Sequence, residues 1–383
     1  MDFDVAVIGA GMAGASLAAA LAGRGQRVVL VERETQPGYH TTGRSAAIYA
    51  PLYGNAAVRA LTRASLPLFE SPPAAFGTEP LLRPRACLFY ARAEQRDAFE
   101  AFCDAYADEP QAPRVLTDAA AIAALQPVLR PASCDRAALD LTASDMDVHA
   151  ILQGYLRLAA AAGCERRMGF ELSRAERNGG GWRLHAQGAG QAPIEVARVA
   201  ICAGAWADPL AAVFDVVAPG IEPRRRTAMV VDCGEGALPA DAPLSMNFVE
   251  DVYFRPEAGH VFLSPADETP SAPCDAQPDE LDIAIAIDRL QRDTVLPVRR
   301  VVAKWAGLRS FHADRSPVVG FAPRADGGID DTVFWMVGQG GYGIQMAPAL
   351  ADLAAARMTG AAVPAYIDDE GLDLAEVAPG RTP

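Results

Sequence analysis

Lysine is almost missing from this chain: of its 34 basic residues only Lys304 is not arginine. With alanine so abundant, this bias reflects genome base composition and carries no functional weight. Positive charge as a whole is also scarce. Against 34 basic residues stand 48 acidic ones, and the formal charge of −14 opposes a broad electrostatic footprint for nucleic acid or an anionic membrane surface. A small neutral or zwitterionic substrate fits better, and no nucleic-acid partner is expected. The seven cysteines (87, 103, 134, 164, 202, 233 and 274) are odd in number, widely scattered and form no CxxC pair. That pattern suggests neither a disulfide framework nor a structural zinc site, so no metal is expected and a reducing cytoplasm is the simpler location. No apolar run reaches the roughly 18 residues needed to cross a bilayer. Asp2 and Asp4 stand where a secretory signal needs positive charge. A cytoplasmic protein with no integral membrane segment follows as the expectation, as a monomer or a weak homo-oligomer.

What the sequence does have is apolar bulk: 383 residues, 51% hydrophobic, are enough for two domains. Residues 3–8 form a short buried strand, 9–14 a glycine-rich turn, 15–24 a helix and Arg27 to Val31 a second buried strand, which together make a βαβ unit. Helical spacing recurs at 56–69, 94–107, 117–125, 147–162 and 278–293, with prolines at 72, 73, 80 and 84 interrupting the first domain. Strands are predicted at 86–90, at 170–177 and 182–186 around Asn178-Gly179-Gly180-Gly181, at 199–203, and in several short alternating runs between 223 and 264. The C-terminal third adds a strand at 333–337 and a helix from about 344 to 358. The fold class expected is α/β in two domains. An open Rossmann-like domain is assembled from 1–83, 146–219 and 308–383, with a mainly antiparallel sheet domain, 84–145 and 220–307, inserted into it.

Gly9-Ala10-Gly11-Met12-Ala13-Gly14 fits GxGxxG in the setting that gives the pattern meaning, with a strand before it, a helix after it and a second strand beyond. Gly9 permits the tight turn, Gly11 lets backbone approach a pyrophosphate, and Gly14 lets the helix pack on the strand, whose neighbouring helix N-terminus offers free N–H groups to the anion. Glu32, 18 residues past Gly14, ends the second strand where a carboxylate accepts ribose hydroxyls. A negative charge there disfavours NADP. The motif itself serves FAD and NAD equally.

The segment Arg33-Glu34-Thr35-Gln36-Pro37-Gly38-Tyr39-His40-Thr41-Thr42-Gly43-Arg44-Ser45-Ala46-Ala47 resembles the D-amino-acid oxidase superfamily of flavoproteins, most closely its D-arginine dehydrogenase type. The same resemblance runs through Gln153 to Arg157, Ala203-Gly204-Ala205-Trp206, Arg225-Arg226, Trp305 to Phe311 and Gln339 to Gln345, nearly the whole chain. It implies noncovalent FAD. Thr41, Thr42 and Ser45 offer hydroxyls, Gly43 gives backbone access, and Arg44 is suited to a phosphate. The cofactor-binding set expected from motif and resemblance is Gly9, Gly11, Met12, Ala13, Gly14, Glu32, Arg33, Thr41, Thr42, Gly43, Arg44, Ser45, Ala46, Ala47, Ala203, Gly204, Trp206, Gly340, Gly341, Tyr342, Gly343, Ile344 and Gln345. In such relatives the glycine-rich segment 340–343 lies beside the flavin, and the helix after it points its positive end at the ring.

The resemblance also implies a substrate site. Arg226 and Arg309 match positions that hold the substrate carboxylate, a task suited to arginine's fixed fork. A run such as Arg224-Arg225-Arg226 reads by itself first as a solvated basic edge, whereas Arg309, in the apolar stretch Trp305 to Phe311, calls for a buried anionic partner. Tyr253 and Tyr53 match residues adding phenolic contacts, Tyr53 from a mobile loop. These four are the expected catalytic residues, with Ile48, Cys87, Met246, Gly341 and Gln345 lining the substrate pocket. Cys87 stands where D-arginine dehydrogenase carries a guanidinium-binding glutamate, and Ile48 where it carries a histidine. D-Arginine is therefore expected to be a poor substrate and a neutral or apolar D-amino acid a better one, unless Glu79 or Glu250 supplies the missing acid.

The implied reaction is hydride transfer from Cα of the neutral-amine form to flavin N5, giving an imino acid that hydrolyses to a 2-oxo acid and ammonia, with an electron acceptor, quinone-like or O2, closing the cycle. No strong side-chain base is required. His40 and His312 are candidates by position only, and no cysteine between Arg309 and Gln345 offers a flavin link. Two other readings stay open: an FAD oxidase or dehydrogenase of sarcosine, glycine or a 2-hydroxy acid, and a non-catalytic flavoprotein.

Overall fold

The structure, a computed structural model, describes residues 1–107, 109, 111–188 and 190–381. Five parallel strands form the centre of its first sheet, in the order Glu165–Met168, Val28–Glu32, Phe3–Ile8, Ile194–Ile201 and Ile329–Val337. Their near-continuous burial explains the unbroken apolar runs of the first two strands in sequence. Ile194–Ile201 shares its outer edge between two partners: its first half pairs with the hairpin strand Gly181–Ala186 and its second with Ile329–Val337. The hairpin Leu172–Asn178 and Gly181–Ala186 turns at Gly179-Gly180 as the sequence predicts.

Helices Met12–Gly23, Val148–Ala161 and Ala347–Thr359 cover one face of this sheet and build the largest core, which includes Leu17, Leu21, Ile151, Leu156, Leu350 and Leu353. The opposite face packs Trp182, Phe214 and Trp335 in a second core. The first helix begins at Met12, three residues before the predicted start, because Gly11 occupies the extended N-cap position and the turn is already helical beyond it.

The second sheet is mainly antiparallel, with one parallel contact between Leu244–Asn247 and Cys87–Ala91. Its backbone is the pairing of two long strands, Glu222–Asp232 and Arg300–Phe311. Arg300–Phe311 is not legible from alternation, since its first half is largely exposed and only its second half alternates between buried and half-buried residues. The position 307/308, where the sequence reading divides the two domains, falls inside this strand. Leu88, Met229, Phe254, Leu263, Ile283 and Leu290 form the core between this sheet and the helix Glu280–Asp293.

Among the described residues all seven cysteines are free, no helix is long and apolar enough to cross a membrane, and no group of acidic, histidine or cysteine side chains is placed to hold a metal.

Contact between the first helix and first strand is close enough to be tested by one methyl group. A Cβ on Gly14 would lie 1.7 Å from the Gly9 carbonyl oxygen. Gly14→Ala should therefore force the helix off the strand and destabilise the protein by about 1–3 kcal/mol. An unchanged thermal midpoint would show that the helix shifts without cost.

Candidate functional site

A cavity of about 480 Å³ runs between the two sheets, from the glycine-rich turn to the facing ends of the long strand pair. Its first end is built by the βαβ unit. Gly9 has φ +101°, and a side chain there would meet the Cys202 carbonyl at 2.7 Å, so the turn closes only with glycine. The first helix carries no acidic residue in its first turn, which leaves its N-terminal N–H groups and partial positive charge free of an internal competitor. Glu32 lines this end. One carboxylate oxygen accepts from the Ala10 amide at 2.7 Å and the other from Glu34 at 3.0 Å, which fixes both for further acceptance. Arg33 lies over the Trp206 ring and pairs with Glu171 at 3.1 Å. A dinucleotide fits this end, and its adenosine half would be held by these groups.

The turn Thr41–Arg44 joins the two sheets along the cavity. Thr42 accepts from the Met12 amide at 3.0 Å, and Thr41 donates to the Leu308 carbonyl at 2.7 Å. Arg44 lines the cavity but spends its guanidinium elsewhere. It donates to the carbonyls of Ala276 and Ala306, at 2.9 and 3.0 Å, and pairs with Asp275. Its guanidinium thus ties the turn to the second sheet, because the side chain leaves the turn on the side of strand Arg300–Phe311. Gly14, Gly43 and Tyr342 do not line the cavity. Gly14 and Gly43 permit close backbone packing, and Tyr342 is a buried ring against Tyr53 and Phe311. The remaining cofactor candidates (Gly9, Gly11, Met12, Ala13, Glu32, Arg33, Thr41, Thr42, Ser45, Ala46, Ala47, Ala203, Gly204, Trp206, Gly340, Gly341, Gly343, Ile344 and Gln345) all line it.

At the other end Arg226 and Arg309 come together. Arg226 stands opposite Gly307 in the strand pair, and Arg309 opposite Arg224. Strand alternation then sorts the Arg224–Arg226 run: Arg225 points to the far face and pairs with Asp282 at 2.8 Å, while Arg226 faces the cavity near the Tyr253 ring. Arg309 is buried among the rings of Tyr53, Phe311 and Tyr342. Its Nη2 donates to the Tyr53 hydroxyl at 3.0 Å, and its Nη1 makes no hydrogen bond although it is buried. Glu268 Oε1 lies 3.6 Å from this Nη1, within ion-pair distance but too far for a hydrogen bond. The Tyr53 hydroxyl in turn donates to Glu250 at 2.8 Å. Burial first, and Glu250 beside it, raise the pKa of the Tyr53 phenol, so it stays protonated and is no base.

Apolar side chains dominate the wall around these arginines, among them Ile48, Cys87, Phe89, Leu244 and Met246. Glu79 does not reach it; this exposed residue lies 3.8 Å from Arg83. Glu250 reaches Tyr53 but does not line the cavity. Gln345 lines it, yet its amide is engaged with the loop at residue 50: its oxygen accepts from Ala50 N at 3.0 Å and its nitrogen donates to Thr62 at 3.0 Å. The helix predicted from 344 begins at Ala347, and no residue of that helix lines the cavity. Turns occupy 341–346 because hydrogen bonds from Tyr342 to Gln339 and from Ala347 to Ile344 close there, before Pro348 starts the helix. Neither histidine named from sequence stands beside the arginines. His40 lines the nucleotide side and bonds Glu34 at 3.0 Å, and His312 sits between Asp314 and Arg381, at 2.7 and 3.1 Å.

Sequence reasoning missed Phe89 and Leu244 in the wall, and Glu268 behind the arginines, 3.2 Å from Arg226. The pairing of Glu222–Asp232 with Thr269–Pro270 and the hydrogen bonds of Arg226 and Thr227 to Asp267 bring that acid near, long-range contacts with no local signal.

Comparison with known proteins identifies the family and the fold. The family described as DAO, FAD dependent oxidoreductase, matches residues 4–357. Among solved structures, glycine oxidase from Geobacillus kaustophilus superposes with a TM-score of 0.81 at 19% identity, covering 100% of this chain and 99% of that one. L-proline dehydrogenase from P. horikoshii gives 0.79 at 18%, covering 96% and 98%. Iminodiacetate oxidase from Chelativorans sp. BNC1 gives 0.78 at 21%, covering 98% of each. At these identities the superpositions speak for the fold.

Gly341 offers a direct test of the arginine end. A Cβ there would lie 1.6 Å from Arg309 Nη2. Gly341→Ala should displace the guanidinium and weaken binding of a simple carboxylate about a hundredfold. Titration of the purified protein measures this, and unchanged affinity would remove Arg309 from the ligand's contacts.

Proposed function

This chain belongs to the DAO family of FAD-dependent oxidoreductases, and we propose that it oxidises D-amino acids with neutral or apolar side chains to imino acids, which water hydrolyses to 2-oxo acids and ammonia. FAD is its cofactor, and when bound it supplies the two-electron oxidant that takes the hydride from the substrate Cα. The observation that carries the reading is the meeting of Arg226 with Arg309, both lining the apolar end of a cavity that begins at a dinucleotide turn.

Each residue has a definable task. Arg309 and Arg226 bind the substrate carboxylate by charge-assisted hydrogen bonds. Tyr53 orients Arg309 and closes the ring of aromatics around it. Tyr253 and the wall of Ile48, Cys87, Phe89, Leu244 and Met246 take the side chain and exclude water. The substrate amine gives its proton to solvent before oxidation, because among the described residues no carboxylate or imidazole lines the cavity beside the arginine pair. Cys87 and Cys202 line the cavity, and burial raises the pKa of both thiols, which favours FAD held without a covalent link.

The preference for D-amino acids rests on the match of Arg226, Arg309, Tyr53 and Tyr253 to D-arginine dehydrogenase-type enzymes; the structural relatives named above are known as enzymes of glycine, L-proline and iminodiacetate. A cationic side chain would meet an apolar wall with no acid lining it, since the lining acids Glu32 and Glu171 stand at the nucleotide end. A quinone-like compound or O2 reoxidises the enzyme.

Anaerobic bleaching of the flavin absorbance tests this directly. D-Met, D-Leu and D-Phe are expected to reduce the enzyme at least about tenfold faster than D-Arg or D-Lys, and faster than their L-forms. Arg309→Met should keep the yellow cofactor and slow reduction about a hundredfold or more. Faster reduction by glycine, sarcosine or a 2-hydroxy acid would transfer the reading to those substrates. Readmitting air then separates oxidase from dehydrogenase.

A further inference from the structure

Behind the arginine pair, on the side turned away from the cavity, stands one carboxylate. Glu268 Oε1 lies 3.2 Å from Arg226 Nη2 and 3.6 Å from Arg309 Nη1, and it also accepts from Arg315 Nη1 at 3.2 Å. Its other oxygen accepts from Arg315 Nη2 at 2.5 Å. Arg226 and Arg309 line the cavity, whereas Glu268 and Arg315 do not. The acid therefore does not occupy the place of a ligand.

Arg315 is itself held in an unusual way. It has φ +64°, a conformation that side-chain-bearing residues seldom adopt, within a turn from His312 to Ser316. Asp314 fixes that turn by accepting from the Ser316 amide at 2.9 Å and from Arg381 Nε and Nη2 at 2.6 and 2.8 Å. Asn55, which caps the helix after the Tyr53 loop, donates to the Asp314 carbonyl at 3.1 Å. The Arg315 guanidinium lies over Phe311, the neighbour of Arg309 two residues along the strand.

Two guanidinium groups that must converge on one ligand repel each other, and each is a long side chain with many rotamers. A carboxylate behind both offsets the repulsion and restricts the rotamers. We propose that Glu268 is a positioning residue for the carboxylate grip, holding Arg226 and Arg309 with their remaining N–H groups turned into the cavity, and that Arg315 fixes Glu268 in turn. The inference rests on the reading that the arginine pair binds the substrate carboxylate. Although burial opposes ionisation of Glu268, the hydrogen bond and charge of Arg315, with Arg309 and Arg226 beyond it, hold its carboxyl below the usual glutamate range. The anchor thus stays ionised at neutral and mildly acidic pH.

The test titrates the FAD-loaded protein with benzoate, a carboxylate with no oxidisable Cα–H, and follows the flavin spectrum. Thermal midpoint and flavin content are measured alongside, because a merely structural role would move those and leave benzoate affinity alone. Glu268→Gln keeps the shape and removes the charge, and should raise the benzoate Kd about tenfold. Arg315→Ala should raise it about threefold, and the double variant should match Glu268→Gln alone, since Arg315 acts through Glu268. A Glu268→Gln Kd equal to or below that of the wild type overturns the anchor. Should that variant fail to fold, Arg315→Ala, altered at a half-exposed side chain, decides by the same criterion. A wild type that neither binds benzoate nor is reduced by any amino or hydroxy acid overturns the carboxylate reading itself, and the anchor with it. Wild-type binding that Glu268→Gln leaves unchanged overturns the anchor only.

Discussion

The antiparallel pairing of Glu222–Asp232 with Arg300–Phe311 places two cationic side chains on one face of one sheet, at an end of the cavity where the surroundings are apolar. Charge cannot be left uncompensated there without a cost of several kcal/mol. Much of the local architecture follows from that constraint. Aromatic rings pack around Arg309, the Tyr53 hydroxyl accepts one of its N–H groups, and Glu268 stands behind it, yet one nitrogen still lacks a hydrogen bond. Two guanidinium groups held in this way at an apolar cavity wall suit an anionic ligand, the reading proposed above.

The rest of the cavity is shaped at its other end to take a dinucleotide. Parallel strands and a helix N-terminus without acidic competition form one end, and the turn Thr41–Arg44 ties that end to the strand pair. Arg44 contributes by bridging to Asp275 and to two carbonyls of the second sheet. Gln345 holds the loop before Tyr53 in the same manner. Both are polar side chains whose hydrogen bonds set distances between elements, so that the ligand-facing groups have fixed positions.

This arrangement links regions far apart in the chain. The turn at 312–316 receives Arg381 from the C-terminal segment and Asn55 from the helix after the Tyr53 loop, and sends Arg315 to Glu268. The arginine pair, the helix after the Tyr53 loop and Arg381 are therefore joined through one hydrogen-bonded turn.

By itself the sequence determined what is local or carried by period. The βαβ unit was legible because strand, glycine turn and helix are consecutive, and each glycine answers to a steric demand within a few residues. The apolar wall was legible in part, through Ile48, Cys87 and Met246, and the two arginines through a resemblance spread over the chain. Only the tertiary structure decided which arginine of the Arg224–Arg226 run faces the cavity, since strand register assigns the face and register is set by a partner some eighty residues away. It also decided that Arg44 bridges sheets, that Glu79 stays outside, and that Glu268 stands behind the grip. Charges find their partners across space, and the energy that fixes a guanidinium depends on which carboxylate the fold delivers within hydrogen-bond reach, a quantity that no local pattern encodes.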